Sequence, residues 1–172
     1  MIVLLVILAI ISFVLLFWQA SNIVSVIFGS PYVIADKKLI SRALKLAGLK
    51  KGEFFYDLGC GNGEVLIEAA KIGAQATGFE IAPFFYWWAR LRTARYSNIK
   101  INYQNIFKAD LTKADVIYCY LWPKMLEKLA PKFKGELKTG SRLISVGFPI
   151  ENLDQEEQFR INRHKIYIYP IL

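Results

Sequence analysis

The sequence predicts an α/β protein with a doubly wound, mostly parallel sheet, preceded by one membrane-spanning helix. Three observations predict this architecture. Residues 54–70 read as a buried strand, a glycine-rich turn and an apolar-periodic helix. Strand and helix patterns then alternate along the chain, as they do where crossover helices join parallel strands. The N-terminus is an apolar stretch long enough to cross a bilayer.

The apolar stretch begins at the first residue. Between Met1 and Trp18 only Ser12 interrupts it, and no charged residue precedes Asp36. About 20 apolar residues span the hydrocarbon core of a membrane. A cleaved signal peptide has a basic start and a small-residue cleavage site, and neither is evident. We therefore expect residues 1–28 to be a retained anchor and residues 29–172 to form one α/β domain.

Charge predicts how the domain sits relative to the membrane. All 22 Lys and Arg and all 14 Asp and Glu follow the apolar stretch, so the net charge of +8 belongs to the domain. The positive-inside tendency predicts a single-pass protein with its domain in the cytoplasm. A basic surface is attracted to anionic lipids, and the same charge can serve RNA. With 2 Cys and 1 His, neither a disulfide framework nor a metal site is expected.

The elements of the domain follow in order. Asp36 is a candidate cap for a helix that ends at Gly48. Two short segments near residues 157–161 and 165–169 can complete the sheet as an antiparallel hairpin. The other predicted elements are strands at 54–56, 75–80, 99–103, 114–120 and 142–148, and helices at 64–72, 84–90 and 125–133. These segments predict a seven-stranded sheet.

The predicted helix at 84–90 follows Pro83 and begins with five consecutive aromatic residues, Phe84 to Trp88. Five consecutive side chains cannot all face one side of a helix. Two or three are expected to pack on the sheet. The outward ones either are covered by the N-terminal helix or lie at a membrane interface, where Trp and Tyr are enriched.

The turn after the first strand carries Asp57 and then Gly59, Gly61 and Gly63. Glycine reaches backbone angles closed to other residues and lets a ligand lie against the main chain. A dinucleotide site has the spacing G-x-G-x-x-G and a phosphate at the helix N-terminus. This chain has G-x-G-x-G, followed by Glu64 in the first helical turn. The carboxylates repel a pyrophosphate, so the pattern favours a cationic or neutral ligand.

Glu80 ends the second strand, where a carboxylate can bind both ribose hydroxyls of an adenosyl group. The pattern Asp-x-Gly-x-Gly-x-Gly with Glu80 resembles the class I S-adenosylmethionine-dependent methyltransferases. The resemblance implies a Rossmann-like fold, that cofactor, a methyltransferase domain over residues 29–172, and cofactor contacts at Asp57, Gly59, Gly61, Gly63 and Glu80. The alternative is a structural glycine-rich turn in an unrelated α/β domain.

Four further candidates follow the third and fourth strands, whose carboxyl ends border the expected site. The resemblance implies that Asn105 contacts the adenine amino group and that Ile106 covers the ring. Tyr120 and Trp122 are the candidate catalytic residues. An aromatic wall at their position can lower the pKa of a lysine amine by burial and can position it for an in-line displacement.

The chain also resembles a narrower group, the small membrane-anchored protein-lysine N-methyltransferases, whose known members modify the ATP synthase c subunit or the adenine nucleotide carrier. The resemblance rests on DLGCGNGEVLIEAA, GFEIAPFFYWWAR and Leu121-Trp122-Pro123. It departs at Asn62-Gly63-Glu64, where the group usually has Asp-Gly-Arg. It implies a lysine of a membrane or membrane-associated protein as acceptor, not a nucleic acid. The alternatives are a methyltransferase for a lipid or quinone headgroup and a non-enzymatic, membrane-tethered binding module.

Overall fold

The computed structural model describes residues 1–27, 33, 36–153, 157–161 and 164–172. Its helices are α1 (Ile2–Ile27), α2 (Lys37–Leu46), α3 (Glu64–Ile72), α4 (Pro83–Thr93) and α5 (Pro123–Glu136), with a 3₁₀ turn at Ile106–Lys108. Its strands are β1 (Phe54–Leu58), β2 (Gln75–Glu80), β3 (Ile99–Tyr103), β4 (Val116–Cys119), β5 (Arg142–Val146), β6 (Glu157–Ile161) and β7 (His164–Pro170).

The strands form one seven-stranded sheet in the order β3-β2-β1-β4-β5-β7-β6. Strands β1 to β5 pair in parallel, whereas β7 pairs antiparallel with β5 and β6. The chain moves outward from β1 to β3 and then returns to the other side of β1 at β4. The junction of β1 and β4 is therefore the switch point of the sheet, where doubly wound folds bind ligands. The predicted fold class is confirmed.

Helices cover both faces of the sheet and bury its central strands. On one face, Ile40 and Leu44 of α2 and Leu66 of α3 pack with Phe55 of β1 in one buried cluster. On the other face, α5 buries Leu126, Leu129 and Phe133 in a second cluster with Ile117 and Leu143. Strands buried on both faces have nearly continuous apolar sequences, which is why the central strands could be predicted.

Element boundaries differ from the prediction where turns intervene. The predicted fourth strand began at residue 114, but the Ala114 N–H donates to the Leu111 carbonyl in a turn, so β4 begins at Val116. The predicted fifth strand ran to residue 148, but Gly147 has a φ of 91° and β5 ends before it. The predicted cap is confirmed, since an Asp36 carboxylate oxygen accepts the Lys38 N–H at 2.9 Å.

Helix α1 is a single helix of 26 residues that is long and apolar enough to cross a membrane by length and composition. Its last turns pack against α4. The Phe84 N–H donates to the Ser21 hydroxyl oxygen at 2.9 Å, and the rings of Phe17 and Phe84 meet edge to face at 5.9 Å. The predicted anchor boundary at residue 28 lies outside the described residues.

Candidate active site

The glycine-rich loop after β1 is held against the end of β2. The N–H groups of Gly59 and Cys60 both donate to the Phe79 carbonyl, at 2.9 and 3.1 Å. Gly59 and Gly61 have φ angles of 82° and 52°, a left-handed conformation that strains residues with a side chain. Bare main chain therefore borders a cavity at the switch point of the sheet.

Glu80 ties this loop to the neighbouring strand. One of its carboxylate oxygens accepts the Gly61 N–H at 2.9 Å, and the other accepts the N–H groups of Ile81 and Ala82 at 2.9 and 2.8 Å. Burial raises the pKa of Glu80, while these three hydrogen bonds lower it. A carboxylate offers about four acceptor positions, so capacity for a ligand hydroxyl remains. The sequence did not indicate that Glu80 also holds the loop.

Two buried polar groups at the junction of β1 and β4 have no hydrogen-bond partner in the described part of the chain. They are the Asp57 Oδ2 oxygen and the Tyr118 hydroxyl, on residues paired across the two strands. Both residues line the cavity. An unpaired buried polar group costs about 1–3 kcal/mol. A ligand with a cationic group for Asp57 and a hydrogen-bonding group for Tyr118 would relieve this, so these residues fit S-adenosylmethionine.

The cavity contains about 880 Å³, counting the space that opens to solvent. Seven predicted site residues line it: Asp57, Gly59, Gly61, Glu80, Asn105, Ile106 and Tyr120. The side-chain carbonyl oxygen of Asn105 accepts the Phe107 N–H at 3.0 Å, which fixes that side chain on the 3₁₀ turn.

Two predicted site residues stand apart from the lining. Gly63 lies at the start of α3, where an added Cβ would come 3.1 Å from the Thr93 methyl group of α4. Trp122 directly precedes α5, and 53% of its surface is exposed. Their roles in binding and catalysis stay predictions, as do those of the seven lining residues.

Sequence reasoning missed several residues of the site. The Tyr120 hydroxyl lies 3.3 Å from Nδ1 of His164, the one histidine of the sequence. The two residues meet because β7 lies beside β5 in the sheet. No local sequence motif predicts this contact. Ser25 of α1 and Val33 also line the cavity. The contribution of Ser25 follows from the packing of α1 against α4, which an apolar sequence does not encode as a pattern.

The Tyr118 hydroxyl provides a first testable prediction. We expect Tyr118→Phe to leave the free energy of unfolding unchanged or slightly higher, because the hydroxyl is buried without a partner among the described residues. Its affinity for S-adenosylmethionine should fall about 2- to 10-fold, the value of one neutral hydrogen bond. Thermal unfolding and calorimetric titration measure both effects.

Tyr169 supplies the matched control, since its buried hydroxyl accepts the Ile150 N–H at 2.7 Å. Tyr169→Phe should lose about 1–3 kcal/mol of stability and keep its cofactor affinity. A Tyr118→Phe variant that behaves like this control would exclude Tyr118 from the binding site.

The buried carboxyl of Asp57 predicts a pH dependence. Burial raises its pKa well above the ordinary 3.8, and the nearby charge of Glu80 raises it further. Its contribution to stability is therefore fully present below the unfolded-state pKa and is lost as the pH rises through the folded-state pKa. We expect Asp57→Asn to melt at a higher temperature than the natural chain at pH 7, with the difference closing near pH 4.

The same substitution should weaken S-adenosylmethionine binding at pH 7, because the cofactor's ammonium loses an ionised partner. Melting curves from pH 4 to 8 and calorimetry test both effects. Parallel pH profiles for the two chains would show that Asp57 does not carry the pH dependence.

Among the described residues, no group of three or more His, Cys, Asp or Glu side chains could hold a metal ion. The acids that line the cavity come from the ends of β1 and β2 and from the start of α3. Its aromatic residues come from β2, α4, the 3₁₀ turn, β4 and the segment that follows β4.

Residues 57–157 match the family model of the ANTKMT methyltransferase domain. The protein-lysine N-methyltransferase of Saccharolobus islandicus is 33% identical over 156 residues, which are 82% of this chain and 93% of that protein. A lysine N-methyltransferase of Xenopus laevis, named for the c subunit of ATP synthase, is 27% identical over 144 residues. The match covers 82% of this chain and 63% of the Xenopus laevis protein. The solved structure of a Salinibacter ruber RNA methyltransferase in complex with S-adenosyl-L-homocysteine superposes on this chain with a TM-score of 0.78 at 28% sequence identity. The match covers 81% of this chain and 94% of the Salinibacter ruber chain.

These matches confirm the class of enzyme and the cofactor that the glycine-rich motif predicted. They support an enzyme over the alternative of a merely structural glycine turn in an unrelated α/β domain. The family match begins at Asp57, whose Oδ2 oxygen has no hydrogen-bond partner among the residues that the structure describes. The chain therefore belongs to the ANTKMT methyltransferase domain family and is an S-adenosylmethionine-dependent methyltransferase.

Proposed function

We propose that the chain methylates the ε-amino group of a lysine in a membrane or membrane-associated protein. One observation carries the proposal: the apolar helix α1 contributes Ser25 to the same cavity that Asp57 and Glu80 line. An acceptor near the end of α1 is therefore within reach of the cofactor. The names of the Saccharolobus islandicus and Xenopus laevis relatives support lysine as the acceptor residue.

The cofactor side of the proposal uses the carboxyl ends of β1, β2 and β3. The Asp57 carboxylate would accept from the cofactor's ammonium group, and Glu80 would accept from the ribose. Asn105 and Ile106, at the 3₁₀ turn, would flank the adenine. When bound, S-adenosylmethionine supplies a methyl group on a sulfonium, and the neutral thioether is a good leaving group. The chain's task is to hold the acceptor nitrogen in line with it.

The acceptor side uses Tyr120 and Trp122. Tyr120 lines the cavity and Trp122 lies exposed just beyond it, so both would border the path of an entering lysine. Aromatic faces attract the ammonium, and burial between them lowers its pKa, which favours the neutral amine that attacks. The Tyr120 hydroxyl lies 3.3 Å from the His164 Nδ1, so in the tautomer whose Nδ1 carries no proton the imidazole would accept the proton that the amine releases.

The membrane orientation is also part of the proposal. Helix α2 follows α1 and exposes four cations, Lys37, Lys38, Arg42 and Lys45. Positive charge collects on the cytoplasmic side of membrane helices, and anionic lipids attract it. We therefore propose a single-pass protein whose domain faces the cytoplasm, where S-adenosylmethionine is made.

A labelling experiment tests the acceptor. The purified full-length chain is incubated with isolated membranes and S-adenosylmethionine carrying a tritiated methyl group, with Glu80→Ala as the inactive control. The proposal predicts tritium in protease-sensitive material that releases methyl-lysine on acid hydrolysis. Tritium that extracts into organic solvent would identify a lipid or quinone acceptor instead. Tritium released by ribonuclease would identify RNA, the substrate class named for the Salinibacter ruber structure.

The role of Trp122 is tested by truncation. We expect Trp122→Ala to lower the turnover number about 10-fold or more, because its ring would help to position the acceptor. Cofactor affinity should change little, since Trp122 lies outside the cavity lining. Single-turnover kinetics and calorimetry separate the two quantities. Equal losses in both would count against an acceptor-side role.

A further inference from the structure

Helix α4 exposes a stripe of large apolar side chains on its outer side. Trp87, Trp88 and Leu91 are 58%, 46% and 71% exposed. Together with the half-buried Phe84 they follow the i, i+3, i+4, i+7 spacing of one helix face, whereas Phe85, Ala89 and Thr93 are buried toward the sheet. We call Phe84, Trp87, Trp88 and Leu91 the α4 outer face. An apolar face with three large exposed side chains is unfavourable in water without a partner.

The α4 outer face is continuous with the apolar surface of α1. The rings of Phe13 and Phe17 stack at 6.4 Å, Phe17 meets Phe84 at 5.9 Å, and Phe84 stacks on Trp88 at 6.2 Å. The Ser21 hydroxyl, which accepts the Phe84 N–H, fixes the start of α4 beside α1. Whatever surrounds α1 at this level therefore also surrounds the α4 outer face.

The length of α1 places this contact in depth. At about 1.5 Å per residue, the 19 residues from Ile2 to Ala20 extend about 28 Å, which is close to the roughly 30 Å thickness of a bilayer's hydrocarbon core. Ser21, with its partner Phe84, then lies where the helix emerges from the hydrocarbon. This is the headgroup level, at which Trp side chains are enriched in membrane proteins.

The charges beside the stripe suit the same level. The Arg90 guanidinium lies 5.3 Å from the Trp87 ring centroid and 5.7 Å from that of Tyr86, and the residue is exposed. The exposed Arg95 lies over the Tyr96 ring just after the helix. Paired aromatic rings and arginines combine apolar contact with attraction to anionic headgroups.

We propose that the α4 outer face lies in the headgroup layer of an anionic membrane. The domain then contacts the bilayer surface directly, in addition to its connection to the membrane through α1. This contact brings the cavity, whose lining includes Ser25 of α1, close to the membrane surface. The inference rests on the proposed insertion of α1, and it narrows the acceptor to a lysine held at headgroup depth.

Depth-dependent quenching tests the membrane contact. A fluorescent maleimide is attached to Leu91→Cys in the full-length chain, since the native Cys60 and Cys119 are buried. The control label is on Thr139→Cys, in an exposed turn before β5, which lies on the other side of β1 from the strands β2 and β3 that α4 connects. Both chains are reconstituted into phosphatidylcholine–phosphatidylglycerol vesicles that carry a nitroxide either on the headgroup or deep in the acyl chain.

The proposal predicts that headgroup nitroxide quenches the label at position 91 at least about twofold and that deep nitroxide quenches this label less. Neither nitroxide should quench the label at position 139. A chain that floats with the vesicles but shows equal, solvent-like emission at both positions would overturn the membrane contact of α4 while leaving the anchor intact. Quenching at 91 in a chain that transfers no methyl group would support the contact and reject the proposed function.

A second variant tests the consequence for activity. Trp87→Ser combined with Leu91→Ser changes two exposed side chains and leaves the packed face of α4 intact. Methylation of membrane-embedded acceptors should fall about tenfold, because apolar burial in the interface is lost. Methylation of a soluble lysine peptide should be unchanged. An equal fall for both acceptors, or no fall for the embedded one, would contradict the proposal.

Discussion

Replacing Glu80 with alanine is expected to weaken S-adenosylmethionine binding at least about 100-fold. Each hydrogen bond to a charged group contributes about 1.5–3 kcal/mol, and the substitution removes the carboxylate from the cofactor's ribose. It also leaves the N–H groups of Gly61, Ile81 and Ala82 without their acceptor, so the glycine-rich loop loses its tie to β2. Calorimetric titration with S-adenosylmethionine measures the affinity.

A surface glutamate controls for the loss of negative charge. Glu68 of α3 pairs with Lys71 at 2.6 Å on the outside of the domain, so Glu68→Ala should bind the cofactor normally. Circular dichroism establishes that the Glu80→Ala chain is folded before its affinity is compared. Unchanged binding in a folded Glu80→Ala chain would refute the assignment of the site.

The second large effect is expected at Gly78, in the middle of β2. A Cβ added there would lie 2.5 Å from the Leu66 Cδ1 and 2.7 Å from the Cys60 Sγ. Both neighbours are buried, so neither can move into free space. We expect Gly78→Ala to lose about 1–3 kcal/mol of stability by overpacking. Because Cys60 lies within the glycine-rich loop, cofactor affinity should fall as well.

Gly135 offers the matched control in α5. A Cβ added there meets nothing within 4 Å, and alanine is the better helix former. Gly135→Ala should therefore gain up to about 1 kcal/mol and bind the cofactor unchanged. Chemical denaturation of both variants measures the difference. Equal stabilities for the two alanine variants would show that β2 is not packed as tightly as described.

Most of the fold was predictable because its signals are local. The central strands are short apolar runs, the glycines at 59, 61 and 63 mark the first turn, and Pro83 opens α4. Strand and helix existence followed from these patterns. Strand ends did not, because turn hydrogen bonds such as that of Ala114 depend on residues beyond the strand.

The site was predictable where a motif carries it and not where packing assembles it. Asp57 and Glu80 stand at recognisable positions relative to the glycines. The approach of His164 to Tyr120 depends on the register of an antiparallel edge strand, and Ser25 reaches the cavity only because α1 docks on α4. The sequence gives only weak evidence for the packing at Gly78, since an isolated glycine inside a strand often marks a place where another group lies close to the backbone.

The central claim is that the cavity at the junction of β1 and β4 accepts an adenosyl sulfonium and rejects a phosphate-bearing nucleotide. Competition calorimetry on the full-length chain tests it most directly, with S-adenosylmethionine titrated in the presence and absence of excess NAD. The account predicts one-site binding of S-adenosylmethionine that NAD leaves unchanged, because the buried carboxylate of Asp57 repels a pyrophosphate. Binding of NAD that displaces S-adenosylmethionine would contradict it.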